Sequence, residues 1–186
     1  MKNFSLLALL ILVLGFALAP KVNAAITVTG FGTGQYIPTF TDFTTEAQTA
    51  TAYQLIGTDF GQSAFGNLPM TVNVSGFTAS LTLIATFTGT ATSVFTIELF
   101  DTLGNSRAYK ANFSSFTPSV PSSVVFAFDS QTGAFNNIVN NIGFTTFGTG
   151  STINITMDTL TAVPEPSSMA LVGLAAVGLL SRRRRK

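Results

Sequence analysis

Stretches in which apolar and polar residues alternate run through the middle of the chain. The clearest are residues 80–88, 93–101 and 151–160. Their alternating apolar positions are Leu81, Leu83, Ala85 and Phe87, then Phe95, Ile97 and Leu99, then Ile153, Ile155 and Met157. A period of two residues indicates a β-strand with one face in a core and the other face outside.

Further short β-type segments are separated by Gly, Pro, Asn and Ser, and no helical period stands out. The candidate strands are residues 25–29, 52–56, 70–74, 80–88, 93–101, 107–112, 123–129, 140–147 and 151–160. Residues 35–51 give the weakest pattern, and we expect a long loop or one short helix there.

Seven to nine strands with no room for crossover helices predict an all-β fold over residues 25–162. We expect an antiparallel β-sandwich of jelly-roll type. The chain has 18 Phe, and most of them lie in this region. That aromatic volume suits a core between two sheets about 10 Å apart.

Charge separates this middle region from the two ends of the chain. Only 9% of residues are charged, far below the ~25% of ordinary soluble domains. Between Ala25 and Pro166 there are two basic residues, Arg107 and Lys110, against eight acidic ones, a net charge of −6. Such a domain repels phosphate backbones, so nucleic acid is not expected as a partner.

The chain has no Cys, no His and no Trp. Without Cys and His there is no disulfide framework, no conventional zinc site and no Ser-His-Asp or Cys-His pair. We therefore predict no catalytic residues, no metal ligands and no cofactor.

The first 24 residues have the three parts of a secretory signal peptide. Lys2 gives a positive start, residues 6–18 are uninterruptedly apolar, and the run 22–24 ends in a small residue. Thirteen apolar residues would form a helix of about 20 Å, short of a ~30 Å hydrocarbon core. We predict export through the Sec translocon and cleavage between Ala24 and Ala25.

The C-terminal segment also has three parts in a fixed order. Pro164-Glu165-Pro166 is a rigid break, residues 167–180 form a short apolar stretch, and a basic cluster follows. The cluster is Arg182, Arg183, Arg184, Arg185 and Lys186. The apolar part predicts a short transmembrane helix, and the cations would stay on the cytoplasmic side, so the upstream domain would face outward.

This order resembles the PEP-CTERM sorting signal of Gram-negative bacteria, here covering residues 163–186. Pro164, Glu165 and Pro166 match the name-giving motif. The resemblance implies recognition by exosortase, a membrane-embedded processing enzyme, after transient anchoring in the inner membrane. It also implies a final place in the cell envelope, at the outer surface or outside the cell, in association with exopolysaccharide.

A second, weaker resemblance rests on strand spacing. Residues 95–107, 126–129 and 157–160 are similar to jelly-roll domains of the carbohydrate-binding type. Aromatic side chains commonly form the platforms on which sugar rings stack. Because Tyr109 lies on a candidate strand close to both cations of the domain, we predict it as a ligand contact.

Acidic residues are the remaining candidates for chemistry. Glu98 and Asp101 are three apart on one strand and so point to opposite faces, whereas Asp129 and Asp158 end predicted strands that could converge. The turn that begins at Asp101 and includes Asn105 could offer calcium ligands, although its spacing favours an ordinary hairpin.

These observations favour a non-enzymatic exported protein of the envelope or extracellular matrix, sorted by exosortase and associated with exopolysaccharide. Two alternatives stay open at this point. One is a carbohydrate-binding module, and the other is a hydrolase that uses two carboxyl groups.

Overall fold

A computed structural model of the protein describes residues 25–76 and 79–163. Within them the chain forms eleven strands and one short 3-10 helix at Phe113–Ser115. The strands are β1 Ile26–Gly30, β2 Ile37–Thr41, β3 Thr45–Gln48, β4 Tyr53–Thr58, β5 Ser63–Asn73, β6 Ser80–Gly89, β7 Val94–Asp101, β8 Ser106–Asn112, β9 Ser122–Thr132, β10 Ile138–Phe147 and β11 Thr152–Val163.

All strand pairs are antiparallel, and they join into one sheet that folds over itself. The strand order is β2-β5-β10-β7-β8-β9-β6-β11-β4-β3, with β1 also paired to β11. The ring of Phe31, directly after β1, lies 5.6 Å between centroids from the ring of Phe144 on β10, so the two halves of the sheet face each other across a shared core. The expected all-β antiparallel sandwich is confirmed in this coarse sense.

The core contains the residues that the alternation predicted. The apolar rows of β6, β7 and β11 are all buried, with exposures between 0% and 3%. Each large side chain buried in this way contributes about 1.5–3 kcal/mol from removal of apolar surface from water. Phe95 also stacks on Phe113 and Phe144 at 5.1 and 5.9 Å, which joins the centre of the core.

The first and last strands lie side by side. Ile26 of β1 is opposite Ala162 of β11, and Val163 is opposite Ser80 on the other side. The sheet therefore holds the chain up to the residue directly before Pro164. The start of β1 and the end of β11 therefore lie at the same end of the sandwich.

The expectation of a loop or short helix over residues 35–51 is wrong, because this segment contains β2 and β3. These two strands form the two ends of the strand order, and Phe43 between them is buried. One continuous segment thus closes the open side of the sandwich. The Gln48 side chain reinforces it by donating to the carbonyls of Phe31 and Tyr36 at 3.1 and 2.8 Å.

Strand β5 begins at Ser63 rather than at residue 70. Its alternation of apolar and polar residues is interrupted by typical turn residues, which are Gly66, Asn67 and Pro69. The ladder to β10 shifts register in this region, which accommodates the interruption.

The expected signal helix and C-terminal helix lie outside the described residues. Among residues 25–76 and 79–163, no helix is long and apolar enough to cross a membrane.

Candidate functional site

One outer face of the sandwich, formed by β2, β5, β10, β7 and β8, carries a row of aromatic and acidic side chains. The strand registers place Phe40, Phe65, Gly143 and Glu98 on neighbouring strands at one level. Phe100 lies two residues beyond Glu98 on β7 and is opposite Asn141 of β10. Because alternate residues of a strand share a face, all of these side chains lie on the side away from the core.

Three phenylalanine rings cross this face. The rings of Phe40 and Phe65 lie 6.0 Å apart, and those of Phe65 and Phe100 lie 5.9 Å apart with an edge-on arrangement. Phe40 is 53% exposed, and the other two are half-buried. Large apolar rings turned to solvent in a contiguous group are a feature of binding surfaces rather than of inert ones.

Gly143 allows the last two rings to approach each other. A Cβ atom at this position would lie 2.7 Å from the ring of Phe65 and 3.2 Å from that of Phe100. Any side chain there would force the rings apart. The glycine thus shapes the aromatic row, although glycine weakens a strand by leaving no side chain to pack.

Amide side chains border the rings and form an open groove with them. We call it the aromatic groove. Its volume is about 410 Å³, and it is lined by Phe65, Asn67, Phe100, Asp101, Thr102, Gly104, Asn140 and Asn141. Asn141 Nδ2 donates to Asn67 Oδ1 at 2.9 Å, which fixes the orientation of both amides. The groove therefore combines apolar rings with uncharged hydrogen-bonding groups.

Asp101 closes one end of this groove as the cap of the β7–β8 hairpin. Its carboxylate accepts hydrogen bonds from the backbone N–H groups of Leu103, Asn105 and Asn136 at 2.8, 2.9 and 2.8 Å, and from the Asn105 side chain. Burial alone would raise the pKa of Asp101, but these donors outweigh it and lower the pKa below its usual value. The group is therefore ionised at neutral pH.

The calcium alternative for this turn finds no support in the contacts. Both carboxylate oxygens of Asp101 already accept N–H donors, and Asn105 points its amide nitrogen at the carboxylate. Within the described residues, no three acidic side chains gather in a metal-binding group. The geometry is that of an ordinary hairpin cap.

Glu98 lies on the same outer face as the rings. The Ser106 hydroxyl on β8 donates to Glu98 Oε1, which fixes the carboxylate in place. Asp129 and Asp158, predicted to end strands, instead lie inside β9 and β11. Asp129 pairs with Lys110 at 2.8 Å.

The two strands that hold Asp129 and Asp158 do not bring these residues together. Strand β6 lies between β9 and β11. Thr159, next to Asp158, is opposite Ile84, whose partner on β9 is Ser123. Asp129 is six residues further along β9, or roughly 20 Å at the rise of a strand. This pair does not supply the two facing carboxyl groups that the hydrolase alternative needs.

Tyr109, the ligand contact predicted from the sequence, is fully buried. It lies on the core side of β8, opposite Ile97, and its ring packs edge-on against Phe128 at 5.9 Å. A ligand could reach it only after the sandwich opened. We therefore move the predicted contact to the aromatic groove.

The groove residues Phe65 and Asn141 were not singled out from the sequence, and neither was Phe40, whose ring lies beside that of Phe65. One signal was present for Phe100. The alternation that places Phe95, Ile97 and Leu99 in the core places Phe100 outside, next to Glu98 on the outer row. An aromatic residue at an outward strand position is the kind of exception that marks a binding surface.

Comparison with solved structures shows the fold. An agarase, AgWH50C, matches with a TM-score of 0.54 and 10% identity, over 76% of this chain and 25% of the agarase. PfGH50B matches with a TM-score of 0.52 and 9% identity, over 76% of this chain and 24% of its own. The chain thus spans about a quarter of the length of these two proteins.

A third match covers nearly a whole protein. The family 11 carbohydrate-binding module of the cellulosomal cellulase Lic26A-Cel5E of Clostridium thermocellum has a TM-score of 0.50 and 11% identity, over 76% of this chain and 95% of the module. At such low identities these likenesses establish a shared jelly-roll architecture. No curated protein sequence matches this chain.

The sequence model of the PEP-CTERM protein-sorting motif matches residues 162–186. This range contains Pro164, Glu165 and Pro166, the apolar stretch and the basic cluster, all beyond the last described residue. The motif implies an exported protein that exosortase processes at a membrane. The chain is therefore a β-sandwich that carries, directly after its last strand, a PEP-CTERM sorting motif.

Proposed function

We propose that the protein is an exported, non-enzymatic polysaccharide-binding protein whose binding surface is the aromatic groove together with the adjoining ring of Phe40. The observation that carries this proposal is the row of three rings, Phe40, Phe65 and Phe100, on one solvent-facing side of the sandwich with centroid steps of 6.0 and 5.9 Å. The jelly-roll architecture supports it, because a carbohydrate-binding module shares that architecture.

The chemistry of the groove suits a sugar chain. The C–H-rich face of a sugar ring packs on an aromatic ring, and three rings in a row would contact consecutive units of a polymer. Asn67 and Asn141 lie beside the rings, and their amides can both donate to and accept from hydroxyl groups. An open groove rather than a closed pocket suits a long chain that extends beyond the protein.

The proposal includes a route to the surface. Residues 1–24 would be removed after Sec-dependent export, with cleavage between Ala24 and Ala25. Residues 25–162 would form the binding domain, and the segment 163–186 would be processed by exosortase. The domain would then remain in the envelope or extracellular matrix, where its groove would hold exopolysaccharide.

Affinity electrophoresis of the exported protein tests the proposal. The gel would contain polysaccharide released by the producing cells, or β-glucan, agarose or xylan. We expect retardation of the wild-type protein in at least one of these gels. Loss of one buried or half-buried aromatic contact weakens binding by about 1–2 kcal/mol, so Phe65→Ala and Phe100→Ala should each weaken it by about five- to thirtyfold.

Phe60→Ala is the matched control, because Phe60 is 72% exposed and lies in the turn between β4 and β5, away from the groove. This variant should bind like the wild-type protein. Equal loss of binding in all three variants would contradict the proposed surface. Absence of retardation of the wild-type protein in every gel would contradict polysaccharide binding itself.

A further inference from the structure

The charges around the aromatic groove are unbalanced. Glu98 lies in the row of the rings, and Asp101 closes one end of the groove. The Glu98 carboxylate thus faces the surface where a polysaccharide would lie, whereas Asp101 is only 2% exposed and lies on the opposite side of β7. The Ser106 hydroxyl holds Glu98, and four N–H groups hold Asp101, so neither carboxylate depends on a ligand cation for its position.

The two cations of the described residues do not compensate for the Glu98 carboxylate. Lys110 lies on the same face of β8, two positions beyond Ala108, but its ammonium group is bound to Asp129 at 2.8 Å. Lys110 and Asp129 together therefore add no net charge to the face.

Arg107 is directed to the opposite side of β8. Its guanidinium lies 4.8 Å above the ring of Phe135, and its Nε and Nη1 atoms donate to Gln131 and Asn137 at 2.7 and 3.2 Å. These contacts lie on the side of β8 that Leu99 of β7 shares, opposite to the side of Glu98. The solvent-facing row of the rings is left with a local charge of −1, which comes from Glu98.

From this arrangement we infer that the aromatic groove and the face around it select uncharged polysaccharides, and that Glu98, which lies beside the groove in the row of the rings, rejects chains bearing uronate or sulfate groups. This inference rests on the proposed function and deepens it. A carboxylate or sulfate on the ligand would meet Glu98 with no cation to pair with. At about 4 Å in water, such a contact costs about 1 kcal/mol, a fivefold loss of affinity, and more where water is excluded.

The test uses matched pairs of polymers with the same backbone. Hydroxyethylcellulose is compared with carboxymethylcellulose, dextran with dextran sulfate, and methyl-esterified polygalacturonate with the free acid. The exported wild-type protein is run through gels that contain each polymer at low ionic strength. We expect the neutral member of at least one pair to retard the protein at least fivefold more strongly than its anionic partner.

The variant Glu98→Gln isolates the responsible residue. Glutamine keeps the oxygen that accepts from Ser106 and removes the charge. We expect binding of the anionic partner to rise by about five- to tenfold, and binding of the neutral polymer to change less than twofold. In 1 M NaCl, where charge interactions are screened over about 3 Å, the wild-type preference should shrink in the same direction.

Glu46→Gln is the control for net charge. Glu46 lies on β3 outside the groove and accepts from the Tyr53 hydroxyl at 2.8 Å, a bond that glutamine also supports. This variant should keep the wild-type preference. If it relaxes the preference as much as Glu98→Gln does, the assignment to Glu98 is wrong.

The remaining outcomes separate the inference from the proposed function. If the wild-type protein binds the anionic partner as well as the neutral polymer, or better, the inference is overturned while polysaccharide binding stands. If no polymer of any pair and no polysaccharide from the producing cells retards the protein, both are overturned.

Discussion

The two outer faces of the sandwich differ in composition. The face of β2, β5, β10, β7 and β8 carries Phe40, Phe65 and Phe100 around Gly143. The face formed by β6 and β11 carries mainly threonines, which are Thr82, Thr86 and Thr88 on β6 and Thr156, Thr159 and Thr161 on β11. Both faces cover the same core, so the core does not require the difference.

The threonine face follows the rules of sheet stability. Thr161 is opposite Thr82, and Thr156 is opposite Thr86. Threonine is favoured in strands, and each cross-strand pair of this kind contributes about 0.2–1 kcal/mol. This face therefore stabilises the sheet and presents small hydroxyl and methyl groups to solvent.

The aromatic face departs from those rules. Gly143 sits within a strand that pairs on both sides, where glycine costs about 0.5–1 kcal/mol relative to alanine. Exposed rings gain less from the hydrophobic effect than buried ones do. Features that cost stability and lie together on one surface indicate a functional site, and this contrast is the reason for placing the ligand on this face.

Gly143→Ala should have the largest effect of these changes, and the effect should be on binding at the aromatic face. The new Cβ would push the Phe65 ring away from Phe100, because it would lie only 2.7 Å from the Phe65 ring. We expect at least a tenfold loss of polysaccharide binding, measured by affinity electrophoresis. The rings can swing toward solvent, so the thermal unfolding midpoint should change by only a few degrees. Unchanged affinity would show that the arrangement of the rings is irrelevant.

Acid should have the next largest effect, because two buried carboxylates stabilise the fold only in their ionised form. The pKa of Asp101 is lowered in the folded state, as is that of Asp59, which accepts from Ser93, Gly150 and Ser151. A lowered pKa stabilises the fold above the unfolded value of about 3.9, and the stabilisation is lost as the pH falls through the folded pKa. The unfolding midpoint should therefore drop steeply below about pH 4.

Asp101→Asn isolates the share of this effect that comes from the groove. Its unfolding midpoint should be lower than that of the wild-type protein at neutral pH and should depend less on pH below about pH 4. Thermal unfolding followed by circular dichroism across this range measures both quantities. Identical acid dependence in the variant and the wild-type protein would contradict the role given to Asp101.

Thr156→Ala should have the smallest effect and only on stability. It removes one cross-strand pair from the threonine face, so we expect a loss of about 0.5–1 kcal/mol in the free energy of unfolding. Denaturant unfolding measures this loss. Polysaccharide binding should be unchanged, and a loss of binding would mean that the ligand lies on the threonine face instead.

The inner parts of the fold could be predicted well from the sequence because burial imposes a strict alternation. Strands β6, β7 and β11 have both neighbours and a core side, so their residues show the period of two. Strands β2 and β3 lie at the ends of the strand order and are mostly exposed. Their residues are under no such constraint, which explains why a loop or helix was expected there.

The candidate site was harder to predict for a different reason. Phe40, Phe65 and Phe100 meet only because β2, β5, β10 and β7 are neighbours in the sheet, and nothing local in the sequence reports that order. Tyr109 was chosen for its closeness to two cations along the chain. Its position on the strand turns it inward, whereas the alternation that buries Phe95 already turned Phe100 outward.

Backbone amide chemical shifts would report where a polysaccharide contacts the sandwich. The exported protein would be titrated with a soluble oligosaccharide of whichever neutral polymer retards it most. If the ligand lies on the aromatic face, the shifts will be concentrated in residues 63–67, 98–101 and 140–143. Shifts concentrated in residues 82–88 and 154–161 of the threonine face, with none around the rings, would show that the aromatic groove is not the binding surface.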